Sequence, residues 1–423
     1  MTQNNIGAFT QRSTCRFCDG TNLVSILDLG EVPLAGGFLT KSEFPEEKVY
    51  PLDIYLCRDF TLVQVLNVVS ADTLFRNYFY YSSAVNTLVE HFAEFAKEVT
   101  SEFIEGSEDE PLVVEIGCND GVLLKSFNAL DVQAVGVDPA TNVVQSIQDD
   151  NITVVNDYFT EHVAQGIRAK YGQADAIVSS YTMAHIDDMV DVFNGIKTLL
   201  RDDGVLIFEV YYLGIVFDET QYDMIYHEHL SYYSLMSLVK FCSRFGMEIF
   251  DVKKMPLRSG TTRYYVRNIG KRSGDVSAAV QELLDYEKER GLDNLETYKE
   301  FAAMVERSRT DLMGLLEQYR SEGKTVAGYG ASGRATTIMS YCGINADHLD
   351  YVVDDAPAKH GFYTPGNHLE IMPWDLAVAE KAPDYVVLFA WSFFNEVVKR
   401  RQDYLDLGGK FIVPLPEVSV FPE

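Results

Sequence analysis

The chain has 423 residues, of which 47% are apolar and 23% charged, a composition typical of a globular protein of two or three domains. Its 63 acidic and 35 basic residues leave a formal net charge of −28, which disfavours nucleic acid and anionic membranes as partners. No apolar run is long enough to span a membrane. The N-terminus lacks an apolar signal segment and the six cysteines are scattered, so we expect a cytoplasmic protein.

Residues 1–75 are predicted to form a small, turn-rich N-terminal module. It contains the C-x-x-C pair Cys15 and Cys18 and a third cysteine, Cys57. Three thiols at this spacing are typical of a structural zinc site, which needs a fourth ligand. Phe60 stands where a second C-x-x-C would place its last cysteine, so Asp59 or a water could complete the site. We expect a structural zinc ion, because a small module has little core of its own.

A central domain is predicted over 76–272. Helical spacing of apolar residues predicts a leading helical segment over 84–105. Short apolar runs then alternate with helical stretches, which predicts a doubly wound α/β domain of the Rossmann type.

The first strand of this domain ends in EIGCNDG, from Glu115 to Gly121, and the next ends in GVDPA. An acid followed by G-x-x-x-G is typical of S-adenosylmethionine (SAM) binding, because glycines let the backbone approach a ligand. Asp138 would bind the ribose hydroxyls, and Asp157 and Phe159 would lie near the adenine. The alternative is a glycine turn that only joins strand to helix.

The segment YDMIYHEHLSYYS, Tyr222 to Ser234, gathers two histidines, one glutamate and four tyrosines. A metal site, an acid/base cluster and aromatic packing all compete to explain it. No third metal ligand is evident nearby, whereas Tyr226, Glu228 and His229 offer a donor, an orienting carboxylate and a base. His185 follows the predicted fourth strand, where this fold binds its substrate. A packing role for these histidines is the alternative.

Residues 273–322 are predicted to form a helical connector that is interrupted near Gly291. A second Rossmann-like unit follows over 323–423, and its first turn reads GYGASGR. This turn matches G-x-G-x-x-G, in which a helix N-terminus can hold a diphosphate. Arg334 adds a cation suited to phosphate. A turn that serves packing alone is the alternative.

Together these features resemble the sugar C-methyltransferases that act on nucleotide-linked 4-keto-6-deoxy sugars. The stretches LDLGEVPLAGGFL, YPLDIYLC, LFRNYFYYSS, EIGCNDG, YHEH and GYGASGR occur in the order of that family and cover nearly the whole chain. The resemblance implies a zinc-binding module, a central class I SAM methyltransferase domain and a C-terminal Rossmann-like domain that binds the sugar nucleotide. It implies removal of a proton from C3 of a TDP- or GDP-linked sugar and methylation of the resulting enolate.

The resemblance also implies roles for individual residues. His229 would be the base, Glu228 would hold its imidazole, and Tyr226 or His185 would bind the enolate oxygen. The remaining assignments are Tyr80 in the active site; Glu115, Gly117, Asn119, Gly121, Asp138, Asp157 and Phe159 for SAM; Gly328, Gly330, Ser332 and Arg334 for the sugar nucleotide; and Cys15, Cys18 and Cys57 for zinc. RSGTT, Arg258 to Thr262, stands where the family has a glycine-rich turn. An O- or N-methyltransferase and a non-catalytic SAM-binding protein are the alternatives.

Overall fold

The computed structural model describes residues 3–5, 9–104, 110–255 and 260–422. Arg258 and Ser259, at the start of the RSGTT turn, lie outside these residues. The described part of the chain is mixed α/β and contains four sheets.

The N-terminal module consists of two antiparallel sheets. Its strands are β1 (Gln3–Asn5), β2 (Phe9–Arg12), β3 (Leu23–Pro33), β4 (Val49–Cys57), β5 (Val63–Val65) and β6 (Asn67–Val69). The first sheet has the order β1-β2-β6, and the second joins β3, β4 and β5 to a strand from the central domain. Alternate residues of β4 are buried, as expected for a strand with one face on a core.

The central domain has a seven-stranded sheet with helices on both faces. Its elements are α1 (Ala71–Phe75), α2 (Asn86–Val99), β7 (Leu112–Ile116), α3 (Val122–Asn128), β8 (Gln133–Val137), α4 (Thr141–Val144), β9 (Thr153–Val155), α5 (Glu161–Tyr171), β10 (Ala174–Ser180), α6 (Met189–Leu199), β11 (Leu200–Tyr211), α7 (Leu213–Asp218), β12 (Ser231–Tyr232), α8 (Leu235–Ser243), β13 (Met247–Met255) and β14 (Thr261–Asn268). The strand order is β13-β14-β11-β10-β7-β8-β9. The five strands from β11 to β9 are parallel, whereas β14 and β13 add an antiparallel edge.

The sequence pattern explains these elements. Every residue of β7 is buried, in keeping with its continuous apolar run. The apolar stripe of α2 is buried at Leu88, Phe92, Phe95 and Val99. The order of the strands reverses between β7 and β10, so the loops after these two strands lie at the edge where α/β folds bind ligands.

The rest of the chain forms two long helices and a second sheet. Its elements are α9 (Ala278–Glu289), α10 (Leu295–Ser321), β15 (Val326–Tyr329), α11 (Gly333–Cys342), β16 (Val352–Val353), β17 (Ile371–Met372), α12 (Trp374–Lys381), β18 (Tyr385–Leu388), α13 (Phe394–Arg400), α14 (Gln402–Asp406), β19 (Lys410–Val413) and β20 (Ser419–Phe421). The sheet order is β17-β16-β15-β18-β19-β20. Helix α9 packs on α8 and β13, whereas α10 packs on α11 and β15, so the two helices belong to different domains.

The N-terminal module is joined to both of the other domains. Strand β5 pairs with β12, which directly follows the YHEH motif. Buried residues of β3, β4 and β5 share one apolar core with the C-terminal sheet. At the edge of that contact His368 binds Glu47, with Nε2 and Oε2 2.7 Å apart. The three parts therefore close around the space between them.

Candidate active site

A cavity of about 960 Å³ lies between the three parts of the chain. The N-terminal module contributes lining residues such as Val69. The predicted site residues in the lining come from the other two parts: Tyr80, Glu115, Gly117, Asn119, Asp138, Phe159, His185, Tyr226, Glu228, His229, Gly330, Ser332 and Arg334. The cavity therefore runs from the EIGCNDG loop, past the YHEH segment, to the GYGASGR turn.

The EIGCNDG loop makes its turn with left-handed backbone at Gly117 and Asn119, whose φ angles are 77° and 49°. A Cβ atom at Gly117 would lie 1.9 Å from Oγ1 of Thr182, so no larger residue fits there. The side chain of Asn119 binds the backbone of the preceding segment, at the amide of Ser82 and the carbonyl of Tyr80. The turn is thus packed against the segment that carries Tyr80.

Carboxyl groups dominate the cofactor end of the cavity. Burial raises the pKa of Glu115 well above its ordinary value, and nearby Asp138 and Asp120 raise it further. Oε2 of Glu115 is buried and has no hydrogen-bond partner among the described residues. Asp138 accepts hydrogen bonds from the amides of Asn119 and Ala140. Crowded, desolvated carboxyl groups favour a ligand with positive charge, and SAM carries both a sulfonium and an ammonium group.

Two predicted cofactor residues lie elsewhere. Asp157 is exposed, lies outside the cavity lining and forms a 3.8 Å ion pair with Arg76, so its contact with adenine stays a prediction. Its neighbour Phe159 does line the cavity. Gly121 begins α3 with a φ of 75°, and its role is to make the turn.

His229 is held in one orientation. Its Nδ1 lies 2.7 Å from the carbonyl oxygen of Met224, and a carbonyl can only accept, so Nδ1 carries the proton. The lone pair of the neutral ring is therefore on Nε2. Burial and the neighbouring His185 hold the pKa of His229 well below its ordinary value, so the imidazole is neutral at pH 7.

His185 stacks on His229, with ring centroids 5.2 Å apart, and on its other face against Phe75. Burial lowers the pKa of His185 to about 4. Its Nε2 is buried and has no partner among the described residues. Two neutral imidazoles therefore lie face to face in the cavity wall.

Glu228 does not hold the imidazole as predicted. Tyr78 donates its hydroxyl to Oε2 of Glu228 at 3.1 Å, while the carbonyl of Met224 orients His229. Residues 226–228 form a turn, and Glu228 and His229 have different hydrogen-bond partners. Burial raises the pKa of Glu228 to about 7, so this carboxyl titrates near neutrality.

The same turn separates the two histidines of the motif. His227 Nε2 lies 3.3 Å from the carbonyl of Tyr50 on β4, away from the cavity lining. In the part of the chain that the structure describes, the one group of three or more residues that could hold a metal is the cysteine cluster. The arrangement supports the acid/base interpretation of YHEH over a metal site.

The GYGASGR turn lies where the order of the C-terminal strands reverses, between β15 and β18. Gly330 has a φ of 97° and lines the cavity. Ser332 accepts a hydrogen bond from the amide of Ala335 and begins α11. Gly328 is inside β15, where a Cβ atom would lie 2.7 Å from the ring of Phe389, so the structure assigns it a packing role.

Arg334 lines the cavity but is already paired. Its Nε and Nη2 donate to the two oxygens of Asp223 at 2.7 and 3.1 Å. Trp391 donates to the same carboxylate at 2.8 Å, and the guanidinium lies over its ring. Asp223 neutralises this charge, so a phosphate would meet Arg334 as one half of an ion pair, and the sugar-nucleotide role of Arg334 stays a prediction.

Three cavity residues were missed by the sequence analysis: Tyr78, Tyr211 and Asp354. Tyr211 lies 5.1 Å from His229, centroid to centroid. Asp354 directly follows β16. Its carboxylate accepts hydrogen bonds from Lys359 and from the amide of Ala331. An acid after the second strand of a G-x-G-x-x-G unit is a known ribose ligand, so Asp354 had a usable signal, whereas the two tyrosines had none.

The three cysteines of the N-terminal module converge. Their sulfur atoms lie within 4.8 Å of one another, and those of Cys18 and Cys57 are 3.7 Å apart. A tetrahedral zinc ion with Zn–S bonds of about 2.3 Å needs sulfurs about 3.8 Å apart, so the cluster fits three of its four positions. Phe60, at the fourth position, offers only its backbone amide, 3.5 Å from the sulfur of Cys57.

Sequence families match each part of the chain. Residues 15–75 match a domain described as zinc-binding, residues 88–252 a methyltransferase domain, and residues 256–416 a C-methyltransferase C-terminal domain. C-methyltransferase NovU from Streptomyces niveus is 33% identical over 407 residues, which are 96% of either chain. The chain belongs to the C-methyltransferase family.

As a member of this family, the chain is a SAM-dependent methyltransferase that transfers methyl to carbon. Solved methyltransferases are more distant. Magnesium protoporphyrin IX methyltransferase from Synechocystis with bound SAH is 14% identical, with a TM-score of 0.34 over 44% of this chain and 83% of its own. CcbJ from Streptomyces caelestis is 12% identical, with a TM-score of 0.33 over 42% and 89%. These scores add nothing to the family match.

No described helix is long and apolar enough to cross a bilayer.

Proposed function

We propose that this C-methyltransferase removes the proton from C3 of a nucleotide-linked 4-keto-6-deoxy sugar and directs methylation to that carbon. The observation that carries the proposal is His229, whose Nδ1 is engaged by the carbonyl of Met224. Its Nε2 lone pair is thereby available as a base inside a cavity shared by the cofactor loop and the second glycine turn.

The 4-keto group makes the C3–H bond acidic because the negative charge of the carbanion delocalises onto the ketone oxygen. His229 Nε2 takes the proton, and its depressed pKa ensures that the ring begins unprotonated. A positioned base of this kind contributes about 10²–10⁴-fold to the rate.

The enolate oxygen needs a hydrogen-bond donor. Burial raises the pKa of Tyr226 well above its ordinary value, so its hydroxyl keeps its proton and can donate. Its ring centroid lies 3.9 Å from that of His229, beside the base. Tyr80, also in the lining, is a second candidate donor. A preorganised donor at a developing oxyanion is worth about 10²–10³-fold.

Bound SAM supplies a methyl group on a sulfonium, which is an excellent leaving group. Glu115, Gly117, Asn119 and Asp138 would hold it at the ends of β7 and β8, with polar groups for its charged and hydroxyl groups. Phe159 would lie on the adenine side.

The sugar nucleotide is proposed to lie along the C-terminal edge of β15. The N-terminus of α11, after Gly330 and Ser332, offers backbone N–H groups to the diphosphate. Asp354 is placed to bind a ribose hydroxyl. The nucleotide carrier is TDP or GDP. Arg334, which binds Asp223, lines the cavity beside it.

The test is methyl transfer to TDP- and GDP-linked 4-keto-6-deoxy sugars, followed by mass and by NMR location of the new methyl group. The variant is His229→Asn, because the amide nitrogen of Asn can still donate to Met224 while the base is lost. We expect turnover to fall about 10²–10⁴-fold, with SAM binding unchanged by calorimetry. The control is His162→Asn, at an exposed position on α5. Methyl found on oxygen, or no product from wild type with any sugar in the panel, would contradict the proposal.

A further inference from the structure

Residues 76–85, here called the strap, cross the cofactor end of the cavity in a largely irregular conformation. Side chains of the cofactor loops hold its backbone. Asn142 accepts from the amide of Tyr78 at 2.9 Å and donates to the carbonyl of the same residue at 2.8 Å. Asn119 and Asp120 bind the amides of Ser82 and Ser83. The strap is thus clamped to the loops after β7 and β8.

Tyr78 is the strap residue whose hydroxyl reaches the catalytic segment. Its hydroxyl donates to Oε2 of Glu228 at 3.1 Å. The side chain of Asn142 binds the backbone of Tyr78. The rings of Phe75 and Tyr80 pack edge-on against Tyr78, and Tyr211 at the end of β11 also interacts with it. The chain of contacts runs from the cofactor loops through Tyr78 to a carboxyl group in the middle of the cavity.

We infer that Tyr78 is a positioning residue of the methyl-transfer reaction, which holds the Glu228 carboxyl in the cavity and ties its placement to the cofactor loops. The inference rests on the proposed function, whose base, His229, shares the cavity lining with Glu228. The Tyr78 hydroxyl gives Glu228 a hydrogen-bond partner other than the imidazole of His229. This hydrogen bond also explains how a buried carboxyl is tolerated there.

The hydrogen bond from Tyr78 affects whether the Glu228 carboxyl is ionised. Burial favours its protonated form and raises its pKa, whereas the donated hydroxyl of Tyr78 favours the ionised form. Among the described residues, Tyr226 of its own segment interacts with this carboxyl, and Tyr80 and Tyr211 interact with Tyr78. Tyr226 stays protonated because burial raises its pKa, and His229 stays neutral. Tyr78 is therefore the contact that opposes burial and keeps Glu228 able to titrate near neutral pH.

The test compares Tyr78→Phe with Tyr81→Phe. The first removes only the hydroxyl that reaches Glu228. The second removes a hydroxyl from the same strap at a residue outside the cavity lining. The first readout is a titration of the carboxyl stretching band by infrared difference spectroscopy, with Glu228→Gln identifying the band. It needs no turnover.

We expect Tyr78→Phe to move the titration of Glu228 upward by about one pH unit, because a hydrogen bond to an ionised group is lost. Any limb of the pH profile of kcat that follows the Glu228 titration moves in the same direction. The KM for SAM stays within about twofold. Tyr81→Phe should behave as wild type in all three measurements.

Asn142→Ala provides a second variant should Tyr78→Phe fold poorly. It removes both hydrogen bonds to the backbone of Tyr78 and leaves the hydroxyl in place. We expect a smaller upward shift of the same titration. An unchanged Glu228 band in a folded Tyr78→Phe protein, or an equal shift in Tyr81→Phe, would overturn the inference. A wild type that shows the titration but methylates no sugar would instead contradict the proposed function alone.

Discussion

At the scale of single residues, Asp223 is a buried polar group that is held by partners far away in the sequence. Asp223 is inaccessible to solvent and accepts three hydrogen bonds, two from Arg334 and one from Trp391. A buried carboxylate is tolerated only with such partners. Because Asp223 precedes the YHEH motif and both donors belong to the C-terminal domain, this contact joins the catalytic segment to the nucleotide side of the cavity.

Asp223→Asn should therefore destabilise the protein, because Arg334 loses its counter-charge while remaining mostly buried. Removing one partner of a buried pair costs about 3 kcal/mol or more, which urea unfolding can measure. The control is Asp218→Asn, whose 2.7 Å pair with Arg290 is exposed and is worth about 0–1 kcal/mol. Equal losses in the two variants would show that the Asp223 contact carries no special weight.

At the scale of elements, the catalytic segment is fixed to its neighbours on several sides. The amide of Leu230 donates to the carbonyl of Ala184, beside His185. Strand β12 pairs with β5, and His227 binds the carbonyl of Tyr50 on β4. These contacts set the register of His229 relative to His185.

The anchor at His227 should make stability depend on pH. Burial lowers its pKa to about 4, while the unfolded chain keeps a value near 6.5. Between these values the unfolded state binds the proton and the folded state does not, so stability is lost as pH falls. From pH 7.5 to 5.5 this group costs about 1.4 kcal/mol.

His227→Gln should remove that loss while its amide nitrogen can still donate to Tyr50. The measurement is urea unfolding of both proteins at pH 7.5 and 5.5. The difference between the two proteins is the relevant quantity, because Glu228 and Glu287, with pKa values raised to about 7, change stability in the opposite direction. Parallel behaviour of the two proteins would contradict the account.

Much of the order and type of the helices and strands could be predicted from the sequence. The continuous apolar run of β7, the buried stripe of α2 and the two glycine turns have local patterns that determine local structure. The partners of the site residues could not be predicted. Tyr78 meets Glu228 across 150 residues and Arg334 meets Asp223 across 111, and no local pattern encodes such pairings. The role expected for Glu228 differs from the structure because the carbonyl of Met224, and not Glu228, binds the imidazole of His229.

At the scale of the whole molecule, the zinc-binding module supports the active site through the chain's shared core. Arg16, between the first two cysteines, is buried and binds Asp187, with Nε and Oδ1 3.0 Å apart. Asp187 lies in the cavity lining two residues after His185. Phe17 stacks on Phe241 of α8 at 3.9 Å. Removal of a zinc ion from the cysteine cluster should therefore affect the surroundings of His185 as well as the module.

The absence of a fourth cysteine should make the zinc ion easy to remove. Phe60→Cys would add a thiolate as a fourth zinc ligand. We therefore expect slower loss of zinc to a chelator and a higher Tm. Phe60→Ser is the matched control, since it removes the ring without adding a thiolate. Zinc content by mass spectrometry and thermal unfolding report the outcome, and equal zinc retention in the two variants would argue against this geometry.

The most direct test of the central claim follows the sugar proton rather than the methyl group. A 4-keto-6-deoxy sugar nucleotide is incubated in D₂O with the enzyme and S-adenosylhomocysteine, and NMR reports deuterium at the carbons that flank the ketone. We predict incorporation at C3 with wild type and with His162→Asn, and none above background with His229→Asn. Incorporation that persists in His229→Asn would remove the base from His229, and incorporation at C5 alone would move the reaction to the other side of the ketone.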